Sequence, residues 1–200
     1  ITGIEHVVGS STQINTLTGV NAEANSLTGG GAADQFYTQD GDDGDVFTGG
    51  GGNDTLTYLS TGITVNLNSD SDTLNSINII ELSGGTNTLT NDNTSRTLIG
   101  GTGTDTITGG SGTDDIDGAG GDDHIIYSGG SDAIDGGAGS DDIMDYTAYS
   151  AGAVTVSLAG GTGTGLASIT GIEHVVGSST QINTLTGVNA QANSLTGGGA

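Results

Sequence analysis

Residues 100–144 read GGTGTDTIT, GGSGTDDID, GAGGDDHII, YSGGSDAID and GGAGSDDIM, five nine-residue phrases in unbroken succession. The consensus is G-G-x-G-x-D-x-U-x, with U apolar. Two further copies stand upstream, Gly49–Thr57 (GGGGNDTLT) and Gly29–Tyr37 (GGGAADQFY). Ile80, Leu89, Leu98, Ile107, Ile116, Ile125, Ile134 and Ile143 recur every nine residues, and Leu56, Val65 and Leu74 keep the same spacing in another phase. A helix needs apolar residues three and four apart, which this pattern does not supply. One apolar residue between small polar flanks, as in T-I-T or D-I-D, is a short strand with one inward side chain.

If each nine-mer is one turn and one strand, two nine-mers close a flattened coil. The predicted fold is all-β, a parallel β-solenoid whose coils stack at about 4.8 Å. Consecutive turns fall on opposite edges, and turns eighteen residues apart lie over one another. Asp105, Asp123 and Asp141 are expected on one edge, Asp114 and Asp132 on the other.

The turns have the chemistry of a hard-cation cage. Glycine at positions one, two and four permits backbone conformations closed to other residues, so that carbonyl oxygens can converge. Aspartate at position six aims a carboxylate at the same place. Oxygen donors without nitrogen or sulfur suit calcium, which takes six to eight oxygens in flexible geometry, better than magnesium. The candidate side-chain ligands are Asp34, Asp45, Asp54, Asp105, Asp114, Asp123, Asp132 and Asp141. The acid-dense stretch Asp40–Asp45 (DGDDGD) adds Asp40, Asp42 and Asp43 as weaker candidates.

Composition sharpens this. The 200 residues hold 40 glycines, no proline, no cysteine, one basic side chain (Arg96) and a net charge of −23. Such a charge repels nucleic acid and acidic membranes. Lack of lysine removes P-loop and Schiff-base chemistry, and lack of cysteine removes disulfides and thiolate metal sites. No apolar run approaches eighteen residues. High charge with only 32% hydrophobic residues reads as disorder unless something outside the chain neutralises it.

A longer period is also present. Residues 1–32 and 169–200 match except that Glu23 becomes Gln191. Residues 1–168 therefore read as one long unit, with blocks of nine-mers at 29–57 and 82–144 and spacer coils between. Residues 169–200 begin the next unit. Such self-similarity is the mark of a tandem array.

The nine-mers resemble the hemolysin-type, or RTX, calcium-binding repeats, which form a parallel β-roll. The resemblance implies calcium held by the position-six aspartates and by nearby turn carbonyls. Those of Gly49, Gly51, Gly100, Thr102, Gly109, Ser111, Gly118, Gly120, Gly136 and Ala138 are the candidates. It also implies folding outside the cell.

Departures from the pattern are informative. Position six is Asn87 in Leu82–Thr90 and Arg96 in Asn91–Ile99. Arg96 marks either a decayed repeat or a guanidinium that replaces a calcium on the Asp114 edge. Asn15 and Asn25 suggest turns that are uncharged and empty. Ile126 and Met144 read as outward apolar flanks on one face, suited to a lateral contact.

Catalysis finds no support. His6, His124 and His174 lack a nucleophile at motif spacing, and G-x-S-x-G is absent. Asp114–Asp115 is explained by a ligand next to an outward flank, and no strand–helix unit follows GGTGTG at 160–165. A threonine ladder for ice binding stops after Thr88/Thr90 and Thr106/Thr108. The expected function is non-enzymatic: an extracellular, calcium-stabilised structural solenoid from an exported, bacterial tandem-repeat adhesin, surface-layer or filament protein. Its partners would be adjacent copies, end to end and laterally, with a cell-surface or matrix ligand. The alternative is the calcium-binding module of a secreted protease, lipase or epimerase.

Overall fold

The computed structural model describes residues 6–19, 23–39, 44–188 and 192–198. Within them the chain winds into an all-β solenoid of short strands. One face is an eight-stranded sheet in which Thr16–Thr18, Gln35–Thr38, Thr55–Tyr58, Ile79–Leu82, Thr97–Ile99, Asp115–Asp117, Asp132–Asp135 and Leu166–Thr170 stack in chain order. The opposite side is covered in two stretches. The first runs His6–Val8, Ser26–Gly30, Val46–Gly50, Thr73–Asn75. The second runs Thr64–Asn66, Thr88–Thr90, Thr106–Thr108, His124–Ile126, Ile143–Asp145, His174–Val176, Ser194–Thr196. Pairing is parallel except for a small hairpin of Val154–Ser157 with Thr162–Gly163.

Register shows the coil length directly. Thr88 pairs with Thr106 and Thr106 with His124, each eighteen residues on. Thr97, Asp115 and Ala133 do the same on the other face. Outside this stretch the coils widen, to twenty residues between Gln35 and Thr55 and twenty-four between Thr64 and Thr88. The spacer around Ile63–Leu67 is therefore a wide coil, with Val65 stacked inward beneath Leu89.

The core is a narrow column. Leu89, Leu98, Ile107, Ile116, Ile125 and Ile134 are buried, each over its counterpart one coil away. Burial of such a side chain stabilises by about 1.5–3 kcal/mol. The early coils are filled by Phe36 and Phe47, packed edge to face across the two sides at 5.9 Å. Tyr127, Tyr146 and Tyr149 make a second aromatic group.

The nine-residue spacing breaks at its last member. His124–Ile126 pairs with Ile143–Asp145, nineteen residues on, so Met144 stacks beneath Ile125 and is fully buried. Ile143, expected inward, lies beside His124 on the outer surface. One extra residue in the turn before it causes the shift, because strand side chains alternate and a slip of one reverses every face. Met144 is thus not an outward flank. Ile126 is paired with Asp145, and the lateral apolar pair expected from the sequence does not form.

Candidate metal centres in the turns

Every turn is built around its position-six side chain. Asp105 Oδ1 accepts the backbone N–H of Asn87 at 2.7 Å, Asp123 Oδ1 that of Asp105 at 2.8 Å, and Asp142 Oδ1 that of Asp123 at 2.7 Å. On the other edge Asp114 takes the N–H of Arg96 at 2.9 Å and Asp132 that of Asp114 at 2.9 Å. In the early coils Asp34, Asp54 and Asp45 take those of Asn15, Asp34 and Asn25. Each carboxylate therefore ties its turn to the coil before it.

The second carboxylate oxygen is left over. Oδ2 of Asp34, Asp45, Asp54, Asp105, Asp114, Asp123 and Asp142 is buried without a hydrogen-bond partner. In Asp34, Asp54, Asp105, Asp114 and Asp123 it packs against the glycine that opens its own turn. A Cβ on Gly100 would stand 2.9 Å from Asp105 Oδ2, and one on Gly118 would stand 2.5 Å from Asp123 Oδ2. Gly29 and Gly49 face Asp34 and Asp54 even more closely. The first glycine of the nine-mer thus leaves room for the carboxylate and, at Gly100 and Gly118, for a carbonyl of the stacked turn. At positions two and four, Gly101 (φ +100°) and Gly103 (φ +129°) take left-handed backbone that favours glycine.

Burial makes these charges costly. It pushes Asp54, Asp105 and Asp114 above the usual carboxylate range. Asp123, Asp132 and Asp142 reach about 6, chiefly from burial and further from neighbouring carboxylates such as Asp105, Asp114 and Asp123 respectively. A buried, half-satisfied carboxylate calls for a cation.

The donor set fits calcium. Among the described residues no three His, Cys, Asp or Glu side chains converge. Carboxylates arrive singly, and any further protein ligands are backbone oxygens. Among the carbonyl candidates, those of Thr102, Gly120 and Ala138 accept N–H groups of Gly85, Gly103 and Gly121 across coils, each keeping a second lone pair. That of Gly109 accepts from Asn91 Nδ2 at 2.9 Å. Those of Gly118 and Gly136 stand over Gly100 and Gly118. Gly49, Gly51, Gly100 and Ser111 lie in the same turns; Gly51 donates to Gly30 and Ser111 to Asn93. A bound calcium would supply neutralisation and a link between turns.

Asp34, Asp45, Asp54, Asp105, Asp114, Asp123 and Asp132 are buried in their turns; Asp141 is not. The slip that turns Met144 inward also makes Asp142 the buried carboxylate, while Asp141 is an exposed side chain hydrogen-bonded to His174 at 2.9 Å. Asp40, Asp42 and Asp43 lie outside the described residues.

A search against protein-family models matched the RTX calcium-binding nonapeptide repeat in four copies, at residues 20–44, 44–58, 97–125 and 128–144. The chain carries RTX calcium-binding nonapeptide repeats. Neither the curated proteins nor the solved structures gave a match. The RTX matches enclose the carboxylate turns, and they skip residues 59–96, where position six is Asn78, Asn87 or Arg96.

Sequence reasoning missed several members of the polar columns. Asn78 Oδ1 accepts the N–H of Asp54 at 3.0 Å, Asp72 Oδ1 that of Asp45 at 2.8 Å, and Glu173 Oε2 that of Asp142 at 3.1 Å. Glu173 reaches its place across thirty-one residues. Each stands two residues before an apolar residue (Ile80, Leu74 and Val175), as position six does, but without the paired glycines that open a nine-mer.

Proposed function

We propose that this calcium-binding repeat module is a segment of a long extracellular rod, built by stacking 168-residue units in a tandem-repeat adhesin, surface-layer or filament protein, and not an enzyme. The observation that supports this most is the behaviour of the duplicated segment. Its first copy pairs His6 with Ser26 and its second pairs His174 with Ser194, the same register at both ends of the chain. The two copies also present opposite sides of one strand. Thr16–Thr18 is covered by Gln35–Thr38, which follows it, and Asn183–Thr186 by Val154–Ser157, which precedes it. Superposed, they describe a strand with a neighbour on each side, which supports a continuous solenoid through successive units.

Each coil contacts only its neighbours, and copy number sets length. Without calcium the buried carboxylates and net charge oppose folding, and the narrow core cannot offset the entropy of 40 glycines. With calcium, ion binding becomes folding free energy. The chain would then cross a low-calcium cytoplasm unfolded and form a rod after export from a bacterial cell. Adjacent copies are its partners, and a surface or matrix ligand is met elsewhere on the array.

The test compares one-, two- and three-unit chains by small-angle scattering in millimolar calcium and in EGTA. Length should rise by about 45 Å per unit, nine or so coils at about 4.8 Å. Constant length, or a strand signal in circular dichroism that survives excess EGTA at low salt, would contradict the proposal.

A further inference from the structure

Coil 82–99 departs from its neighbours on both edges. On one edge position six is Asn87. Its Oδ1 accepts the N–H groups of Gly62 at 2.9 Å and Ile63 at 3.2 Å, as an aspartate would. Its Nδ2 donates to Ser83 O and Gly85 O, both at 3.0 Å and both in its own turn. In the next turn on that edge the equivalent atom is Asp105 Oδ2, which is buried and has no partner. Amide hydrogens thus meet turn carbonyls where an aspartate leaves a bare oxygen. Asn15 and Asn183 repeat the arrangement, with Nδ2 on the carbonyls of Ser10 and Gln13, and of Ser178 and Gln181.

On the other edge the exchange is deeper. Position one, glycine in the calcium pattern, is Asn91, and position six is Arg96. With no carboxylate at position six, the space above position one is free for a side chain. Asn91 fills it, and its Nδ2 donates to Thr94 O and Gly109 O at 2.9 Å and to Asp114 Oδ1 at 3.2 Å. The Arg96 side chain is only 3% exposed. Its Nη1 donates to Asn91 Oδ1 at 2.5 Å and Asp92 Oδ1 at 2.6 Å, its Nη2 to Asp92 Oδ2 at 3.3 Å, and its Nε to Ile77 O at 3.2 Å. Burial works against ionisation of Asp92, but Arg96 and the Thr94 N–H hold its carboxyl below the usual range. Side chains also bridge this turn to the next: Ser111 Oγ donates to Asn93 Oδ1 at 2.7 Å and Thr113 N to Ser95 Oγ at 2.8 Å.

We propose that coil 82–99 is a calcium-free coil, closed by the Asn87 amide on one edge and the Arg96 guanidinium on the other. Arg96 is the resident cation of its turn, paired with Asp92 and linked to Asp114 through Asn91. The coil divides the calcium-binding turns of a unit into two blocks, which join through a step that needs no ion. This rests on the calcium reading of the aspartate turns.

Equilibrium dialysis with calcium tests it on the 200-residue chain, alongside thermal melts. Asn87→Asp restores a carboxylate turn, and Asn91→Gly with Arg96→Asp restores the glycine–aspartate pair. Each variant should bind one more calcium ion per chain than the wild type. Arg96→Gln should keep the wild-type ion count but melt several degrees lower in saturating calcium. Equal ion counts in the wild type and both restored variants would overturn the proposal, as would an unchanged melting point for Arg96→Gln or a restored double variant that stays unfolded in calcium. A wild-type chain that binds calcium isolates such a failure to coil 82–99. One that binds none overturns the calcium reading together with this proposal.

Discussion

Gly118 and Asp123 open and close one turn, and they are bound to each other by exclusion. The space a Cβ on Gly118 would fill holds Asp123 Oδ2, 2.5 Å away, and the backbone carbonyl of Gly136 at the same distance. The carboxylate can rotate. The carbonyl belongs to the stacked turn and cannot move without parting the coils. Gly118→Ala should therefore destabilise the calcium-loaded chain by about 1–3 kcal/mol, the usual cost of overpacking. Gly152, with nothing within 4 Å of its Cβ position, is the control. Equal melting points for Gly118→Ala and Gly152→Ala would contradict the steric account.

The two oxygens of Asp105 have separate duties, so two substitutions should separate them. Asp105→Ala leaves the buried N–H of Asn87 without an acceptor, so in EGTA it should be about 1–3 kcal/mol less stable than Asp105→Asn. Asp105→Asn keeps an acceptor and adds an amide that can close on its turn as Asn87 does. It should bind one calcium fewer, yet melt above the wild type in EGTA because a buried charge is gone. A melt in EGTA below that of the wild type would count against this division.

Metal-free stability should depend on pH in an unusual direction. Asp123, Asp132 and Asp142 titrate near 6 in the folded chain, against an ordinary value of 3.8. Between those values the folded chain binds more protons than the unfolded one, so its stability rises as pH falls. This stabilisation is complete below about 4 and lost as pH rises through about 6. Melts in EGTA should shift upward from pH 7.5 to pH 5. Calcium competes with the same protons, so its affinity should fall over that interval. Lower melting at pH 5 in EGTA would contradict the assignment of buried, uncompensated carboxylates.

Ala119 stands at position two, where Gly101 and Gly110 have φ of +100° and +88°, and its own φ is +71°. A left-handed alanine costs about 1–2 kcal/mol. Glycine returns part of that through the freedom it gives the unfolded chain, about 0.4–1 kcal/mol. Ala119→Gly should raise the melting point by a small margin, up to about 1 kcal/mol in stability. A lower melting point would show that the methyl group contributes packing which the φ value conceals.

Much of this molecule was legible in its nine-residue phrases. Inward apolar residues from Ile80 to Ile134 and position-six aspartates from Asp34 to Asp132 follow from alternation along a strand and from glycine at fixed offsets. The unusual turn at Arg96 was visible too, as a lone cation where an acid belongs. Its partners were harder to find, because Asn91 and Asp92 become informative only once the guanidinium is seen folded back over its own turn.

Local pattern settles which residues form strands and which form turns, because period-two alternation and left-handed glycines act within a few residues. Contacts between coils settle register. GGAGSDDIM holds two adjacent acids and two adjacent apolar residues, so its ligand and inward side chain can be read as Asp141 and Ile143, the frame its glycines favour, or as Asp142 and Met144. Stacking of Met144 under Ile125 and capping of Asp142 by Glu173 select the second frame. Those contacts span nineteen and thirty-one residues, beyond the reach of any nine-residue phrase.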